Sequence, residues 1–468
     1  MRTQPRSCRD QRLGICAVLG RPETAGTRRR AREGLSRRRR KHDQRLEGGS
    51  RPQPLQYVKI CSLYGAGFYY MPGTDTCIKV GGYVRAEVNY NAGGSFSVPS
   101  TLALDNRNAN VENWRTRAAI TVDARSQTEY GTLRSYLFIS ATDDNSGSAA
   151  SGSGNTTGAS GYNRLYAPAA FIQFAGFTAG KTSSFFDFDG QPYSNQSNFW
   201  GSNQGGNGVE LFAYTAQFGN GLSASISAEN PNGHRMGISG NPGYAGQEWP
   251  DVVGNLRIDQ AWGSAQIMGA AHQVRAQDVS AALGHPSDKV GFALGAGLKI
   301  NVPMLGKGDY VIGQFTYAEG ATDYVGSGLP ATQTVTSGTF PAITNTSIGL
   351  ANDATAVGAG AGSLDLTKGW SFTGGYEHHW NQQWKTSLYG AYGKLEYTDA
   401  ASAVLGAAGS ANWDLWQVGS RTVWTPVTNL DLSVDVMYNR MDTSFEALGY
   451  TDRDWVSGMF RVQRNFYP

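Results

Sequence analysis

Nowhere in the 468 residues do 18 apolar side chains follow one another, so the sequence offers no helix able to cross a bilayer. Charge is scarce as well: Asp, Glu, Lys and Arg make up 16% of the chain, against roughly 25% in an ordinary soluble domain. Only four cysteines occur, Cys8, Cys16, Cys61 and Cys77, and none stands in the CxxC spacing of a zinc or redox site. HExxH, GxSxG and P-loop patterns are missing. The Gly-Ala run GAGAGS at 358–363 lacks the flanking strand and helix of a dinucleotide site. His378 and His379 are adjacent on a predicted strand, hence on opposite faces, and are not expected to share a metal. These gaps remove the usual enzymes: no catalytic residue, cofactor or metal is expected. They leave one membrane class open, because barrel strands alternate and carry weak hydropathy.

Glycine (61 residues) and aromatics (11%) are abundant instead. The net charge of +3 hides a division. Residues 1–51 hold 16 basic and 5 acidic side chains, a net of +11, and the remainder carries −8. The Arg-rich block Arg37–Lys41 could be read as a nucleic-acid or nuclear-type patch. A disordered tail without a role is the plainer reading, and no nucleic-acid partner is expected. An exported chain starts with a basic stretch, an apolar stretch of about 7–15 residues and a small-residue cleavage site. Here Ile15–Gly20 is the only apolar patch. Residues 1–53 are therefore expected to be an extension in which a wrong start or a shifted frame replaces a signal peptide, and 54–468 the folded unit.

From Cys77 onward the dominant period is two. In 78–90, Ile78, Val80, Val84, Ala86, Val88 and Tyr90 take one face, while Lys79, Tyr83, Arg85, Glu87 and Asn89 take the other. Residues 114–125 and 430–442 repeat it. Sixteen strands are predicted: 78–90, 114–125, 131–142, 164–175, 177–185, 208–218, 222–230, 250–260, 263–275, 289–302, 308–320, 366–380, 384–397, 411–425, 430–442 and 455–467. Their connections alternate long and short. The long ones are polar and rich in Gly, Ser and Asn, as in the stretches from Ser95, from Asp143, over 182–208 and over 321–365. The short ones are turns such as Gly219–Asn220–Gly221 and Asn381–Gln382–Gln383. That alternation is the pattern of an all-β, 16-stranded antiparallel transmembrane β-barrel with periplasmic turns and both termini on the turn side. Closure removes the sheet edges. Trp114, Trp249, Trp380, Trp384, Trp413, Trp424 and Trp455 fall near strand ends, where an aromatic girdle is expected.

A Cys61–Cys77 bridge would close a 15-residue loop, worth about 3 kcal/mol by chain entropy. Two buried free thiols are the alternative; an oxidising periplasm and the lack of any other cysteine in the body favour the bridge.

The run VKICSLYGAGFYYMPGTDTCIKVGGYVRAE (58–87), the ending FRVQRNFYP (460–468) and the order between them resemble the general porins of alpha-proteobacterial outer membranes. The resemblance implies a homotrimer in which the third long loop folds inward to narrow each pore. Here that loop is 182–208, which carries Asp187 and Asp189. Opposite it, the polar faces of the first two strands offer Arg85, Arg115 and Arg117, so acids on the loop and bases on the wall are the expected pore constriction. Glu210, by alternation from Val209, is expected to point inward with them. Asp143 and Asp144 could bind divalent cations at lipopolysaccharide, although solvated loop charge explains them as well. The expected function is passive diffusion of small hydrophilic solutes and ions across the outer membrane. The alternative is a structural or adhesive barrel acting through its long loops, above all 321–365.

Overall fold

A computed structural model of the chain describes residues 59–90, 112–144, 164–188, 190–196, 199–201, 208–240, 243–326, 351–360, 362–405, 410–443 and 452–466. Asp189 and the Arg37–Lys41 block lie outside them. Sixteen long strands form the wall. They are β1 (Cys77–Tyr90), β2 (Glu112–Thr128), β3 (Gly131–Asp144), β4 (Arg164–Phe174), β5 (Phe177–Thr182), β6 (Val209–Gly219), β7 (Leu222–Glu229) and β8 (Asp251–Gln260). They continue as β9 (Gly263–Val274), β10 (Lys289–Asn301), β11 (Tyr310–Glu319), β12 (Lys368–His379), β13 (Trp384–Glu396), β14 (Trp413–Val427), β15 (Leu430–Thr443) and β16 (Arg453–Asn465). Each pairs antiparallel with the next, and β16 pairs with β1 in the register Tyr83↔Asn465 to Tyr90↔Gly458, so the sheet closes. The expected strands all form, with ends shifted by a few residues.

Closure puts one face of every strand inside and the other outside. The outer row is apolar and exposed: Val84, Ile120, Ile139, Ile226, Leu294, Phe315, Leu388, Val418, Val434 and Phe460. The inner row is polar and buried or half-buried, including Glu87, Asp123, Gln266, Gln314, Glu377, Gln417, Arg421 and Asp435. This inverts a soluble protein and fits a wall with lipid outside and water inside.

The short turns follow from local chemistry. Asn220–Gly221 takes positive φ at both positions, 50° and 74°, as a two-residue hairpin turn demands. A Cβ at Gly221 would meet Asp259 O at 1.9 Å. At the β12–β13 turn the Asn381 side-chain oxygen accepts from the backbone N–H of Gln383 (2.8 Å) and Trp384 (3.0 Å).

At the long-loop end, part of the 321–365 connection is structured rather than irregular. Ala354–Val357 pairs antiparallel with Ser363–Leu366 and parallel with Ile238–Ser239 from the β7–β8 connection. Partners over 100 residues apart leave no local signal, so the sequence reads as loop. The girdle expectation holds for exposed Trp114, Trp380, Trp384 and Trp424, but not for Trp413 and Trp455, which are 2% and 8% exposed. Trp413 faces inward, where Trp200 stacks on it at 5.6 Å. Before β1, Cys61 and Cys77 are bonded, which settles the open alternative in favour of the disulfide.

Candidate functional site: the inner wall and the third long connection

The segment after β5 lies along the polar face of the wall. Phe185 N–H donates to Glu229 Oε1 (2.9 Å) and Asn255 Nδ2 donates to Phe185 O (2.6 Å). Gln266 Nε2 reaches the carbonyls of Phe186 and Asp187, both at 3.4 Å, and Phe188 N–H donates to Gln314 Oε1 (3.3 Å). Further on, Arg421 Nη2 donates to Pro192 O (2.6 Å), Asn195 N–H to Asp435 Oδ2 (2.7 Å) and Trp200 N–H to Gln417 Oε1 (2.7 Å). These contacts touch β7, β8, β9, β11, β14 and β15 in turn, more than a third of the circumference. Three inner-face glycines make room for the rings. A Cβ on Gly297, Gly375 or Gly393 would come within 2.2, 2.5 or 2.4 Å of Phe188, Tyr193 or Trp200.

The wall on β16, β1 and β2 is cationic. Glu87 sits among three guanidiniums: Arg461 Nε at 2.7 Å, Arg115 Nη1 at 3.1 Å and Arg85 Nη1 at 3.9 Å. Arg85 Nε also donates to Gln463 (2.8 Å), and Arg117 Nε to the Thr142 hydroxyl (2.8 Å). The predicted arginines are thus brought together on one face. Cross-strand neighbours Arg85↔Arg117 and Glu87↔Arg115 do this, because opposed residues share a side. Two members went unread in the sequence. Arg461 also donates to Asn195 Oδ1 (2.7 Å), and Arg421 pairs with Glu377 (2.6 Å) while approaching Asn195 Oδ1 (3.3 Å). Alternation around Phe460 and Val462 would have exposed Arg461; Arg421 sits in a strand apolar on both faces and gives no such sign.

Among the described loop residues, Asn195 accepts from both Arg461 and Arg421, and Pro192 O from Arg421 as well. Asp187 is anchored near β9 and β11, half the circumference from β2, with both carboxylate oxygens buried. Glu210 is corrected outright. It shares its face with exposed Phe212 and Tyr214 and so points outward, whereas Val209, Leu211 and Ala213 point inward and pack on Phe185. The inner face of β6 is apolar because the loop covers it, which reverses the usual polar-in reading.

Above the loop, a second polar cluster ties the long connections together. His234 Nε2 and Nδ1 donate to Glu229 Oε2 and Asp323 Oδ2, each at 3.3 Å, and its ring stacks on Tyr324 at 4.4 Å. Burial alone would lower the imidazole pKa; the two carboxylate hydrogen bonds outweigh it and raise it to about 10. Asp353 accepts from Met236 N, Thr322 N and Tyr244 OH, each at 2.8 Å. Its burial still pushes its carboxyl above the usual range. At the opposite end His378 and His379 both approach Asp309, at 2.6 and 3.7 Å. Opposite faces did not keep them apart, because Asp309 sits at the rim between them. Among the described residues no group of three metal-ligating side chains converges.

The profile of the porin subfamily matches residues 49–459. Porin Omp2b of Brucella suis biovar 1 (strain 1330) is 32% identical over 215 residues, 46% of this chain and 56% of its own length. Porin Omp2b of Brucella abortus (strain 2308) matches to the same extent. The chain thus spans about half the length of the curated relatives it matches. Among solved structures, the outer membrane channel DcaP of Acinetobacter baumannii overlays with TM-score 0.59 at 15% identity, covering 85% of this chain and 99% of that one, a likeness of fold. With a closed sixteen-stranded wall, polar within and apolar without, and a family match over most of its length, the chain belongs to the porin subfamily of the bacterial outer membrane.

Proposed function

We propose that the protein forms a water-filled channel for passive diffusion of small hydrophilic solutes and ions, without catalysis. The observation that carries this is the closed barrel whose polar row faces inward and whose apolar row faces outward. Residues 54–468 are the pore-forming unit, the short turns and both termini are periplasmic, and three copies assemble with lipid and lipopolysaccharide around them. The segment 182–208 folds into the lumen and sets the constriction. Arg85, Arg115 and Arg117 form its basic wall, and Asp187 and Asp189 supply the charge of the loop.

Stepwise single-channel conductance in a planar bilayer tests the channel. A barrel that inserts but never conducts would favour the structural or adhesive reading. Arg115→Gln with Arg117→Gln is expected to move the reversal potential under a salt gradient toward cations. Removing 190–201 is expected to raise conductance, and unchanged conductance would exclude the loop as the constriction.

A further inference from the structure

The aromatic side chains of the inner wall fall into two groups. Those of the loop are covered: Phe186, Tyr193 and Trp200 are fully buried. Those of β1, β3 and β4 are only half-buried: Tyr83, Tyr136, Phe138, Tyr166 and Phe171. They line one strip of the inner wall as two ring pairs and Tyr166. Tyr83 meets Phe138 edge-on at 6.4 Å, and Tyr136 stacks on Phe171 at 5.2 Å. Register places them in the middle of the wall: Thr121↔Phe138, Asp123↔Tyr136 and Tyr136↔Phe171. The loop contacts named above fall on β6 to β16, and none of them touches these five rings.

Guanidiniums flank the strip at both ends. Toward the long loops stand Arg85 and Arg117, over Tyr83 at 4.8 Å and Tyr166 at 5.9 Å. Toward the short turns stands Arg134, over Tyr136 at 5.1 Å and Phe171 at 5.3 Å, with Arg125 beside it on Asp123. Arg117 and Arg125 are eight residues apart on β2, or about 26 Å along the strand. Among the described side chains the upper group sets four guanidiniums, Arg85, Arg115, Arg117 and Arg461, against Glu87. The lower group sets two against Asp123.

Half-exposed rings in a water-filled lumen do nothing for the closure of the sheet, and each leaves apolar area in water. The ring area that the guanidiniums leave uncovered accepts a planar ring, and the guanidiniums at either end accept a carboxylate. We infer that this strip is a binding track for anionic aromatic solutes, aryl carboxylates in chemical class, which slide from the upper to the lower arginine group with the ring on the wall. The inference rests on the channel reading and names its preferred solute.

The test uses the full chain in planar bilayers, with phenylacetate and acetate as paired probes of equal charge. Phenylacetate is expected to interrupt the chloride current with resolvable dwell times, and acetate is not. Phe138→Leu with Phe171→Leu keeps the apolar bulk and removes the rings. It is expected to leave chloride conductance in place and to shorten the phenylacetate dwell about fivefold. Tyr83→Thr supplies an independent arm should the double variant insert poorly. Equal behaviour of the two probes, or dwell times unchanged in the ring-free variants, would overturn the track while leaving the channel standing. Interruption by neutral maltose but not by phenylacetate would overturn it too, in favour of a carbohydrate surface. Absence of any conductance would remove both.

Discussion

Around the mouths of β7, β8 and β9 the charged groups are sealed. His234 and Glu229 have no exposed side-chain surface and Asp323 has 8%. On β16, β1 and β2 the carboxylate of Glu87 is equally buried, yet the arginines around it keep 14–20% of their surface. Both regions pair acids with bases, but charge number differs. The sealed cluster sets a single imidazolium between two carboxylates and is complete without water. The arginine wall gathers several cations around one described acid, and each of the three that pair with it keeps part of its surface exposed. Desolvated charge must be matched by protein; charge beside water need not be. The first arrangement holds loops in place, and the second is a surface for passing ions.

Breaking the sealed side is expected to have the largest effect. Glu229→Ala leaves His234 with one carboxylate and removes the acceptor of Phe185, at a cost of about 3–5 kcal/mol for a broken buried pair. The midpoint of heat-induced conversion from the compact to the unfolded gel band reads it. The same cluster carries a pH signature. The imidazole is raised from 6.5 to about 10, so its stabilisation is complete below about pH 6.5 and is lost as pH rises toward 10. The wild-type midpoint should fall between pH 7 and 10, and His234→Gln should flatten that fall. A wild-type midpoint that rises over this range would show that the imidazolium is not what holds the loops.

The open side is held at its root by the Cys61–Cys77 bridge, which clips residues 61–76 against β1 and seats Phe68 under Arg125 at 4.9 Å. Cys61→Ser with Cys77→Ser is expected to lower stability by up to about 3 kcal/mol while leaving the pH dependence of the other side intact. If that dependence vanished as well, the two regions would be one cooperative unit. Glu87→Gln comes next, at about 2 kcal/mol for hydrogen bonds to a charged group. Its larger consequence is electrical: the arginines lose their counter-charge, and the reversal potential should move toward anions.

The strands were readable almost to the residue because the period of two is enforced everywhere by the two solvents of the wall. The inner site was readable only where that rule acts alone. Arg85, Arg115 and Arg117 were placed correctly by alternation. Glu210, Trp413 and Trp455 were not: Phe185 packs on Val209, Leu211 and Ala213 and Trp200 stacks on Trp413, so apolar side chains have partners on the inner face. Alternation records lipid against water; it carries no trace of a third surface folded in later. For the same reason nothing in the sequence marked Asn195, the described loop residue whose side chain accepts from Arg461 and Arg421.

That residue sets the smallest and most discriminating prediction. Asn195 holds the loop at five points: its N–H to Asp435, its carbonyl under Arg461 Nη2 (3.2 Å), its Nδ2 to Ser433 (2.9 Å), and its Oδ1 under Arg461 and Arg421. Asn195→Ala keeps both backbone bonds, and both arginines keep their acids, Glu87 and Glu377. The expected loss is therefore only about 1 kcal/mol, with mean conductance nearly unchanged. Freed from the side-chain bonds, the loop should fluctuate against the wall, and open-channel noise should rise. Asn195→Asp separates anchoring from charge. It restores an acceptor for both arginines but adds a negative charge beside them. Quiet current with a reversal potential moved toward cations would mean that the loop is held by acceptor geometry and that the wall was selecting by its positive charge. Noise as high as in Asn195→Ala would mean that the Asn195 amide, donating to Ser433 while accepting from the arginines, is what holds the loop.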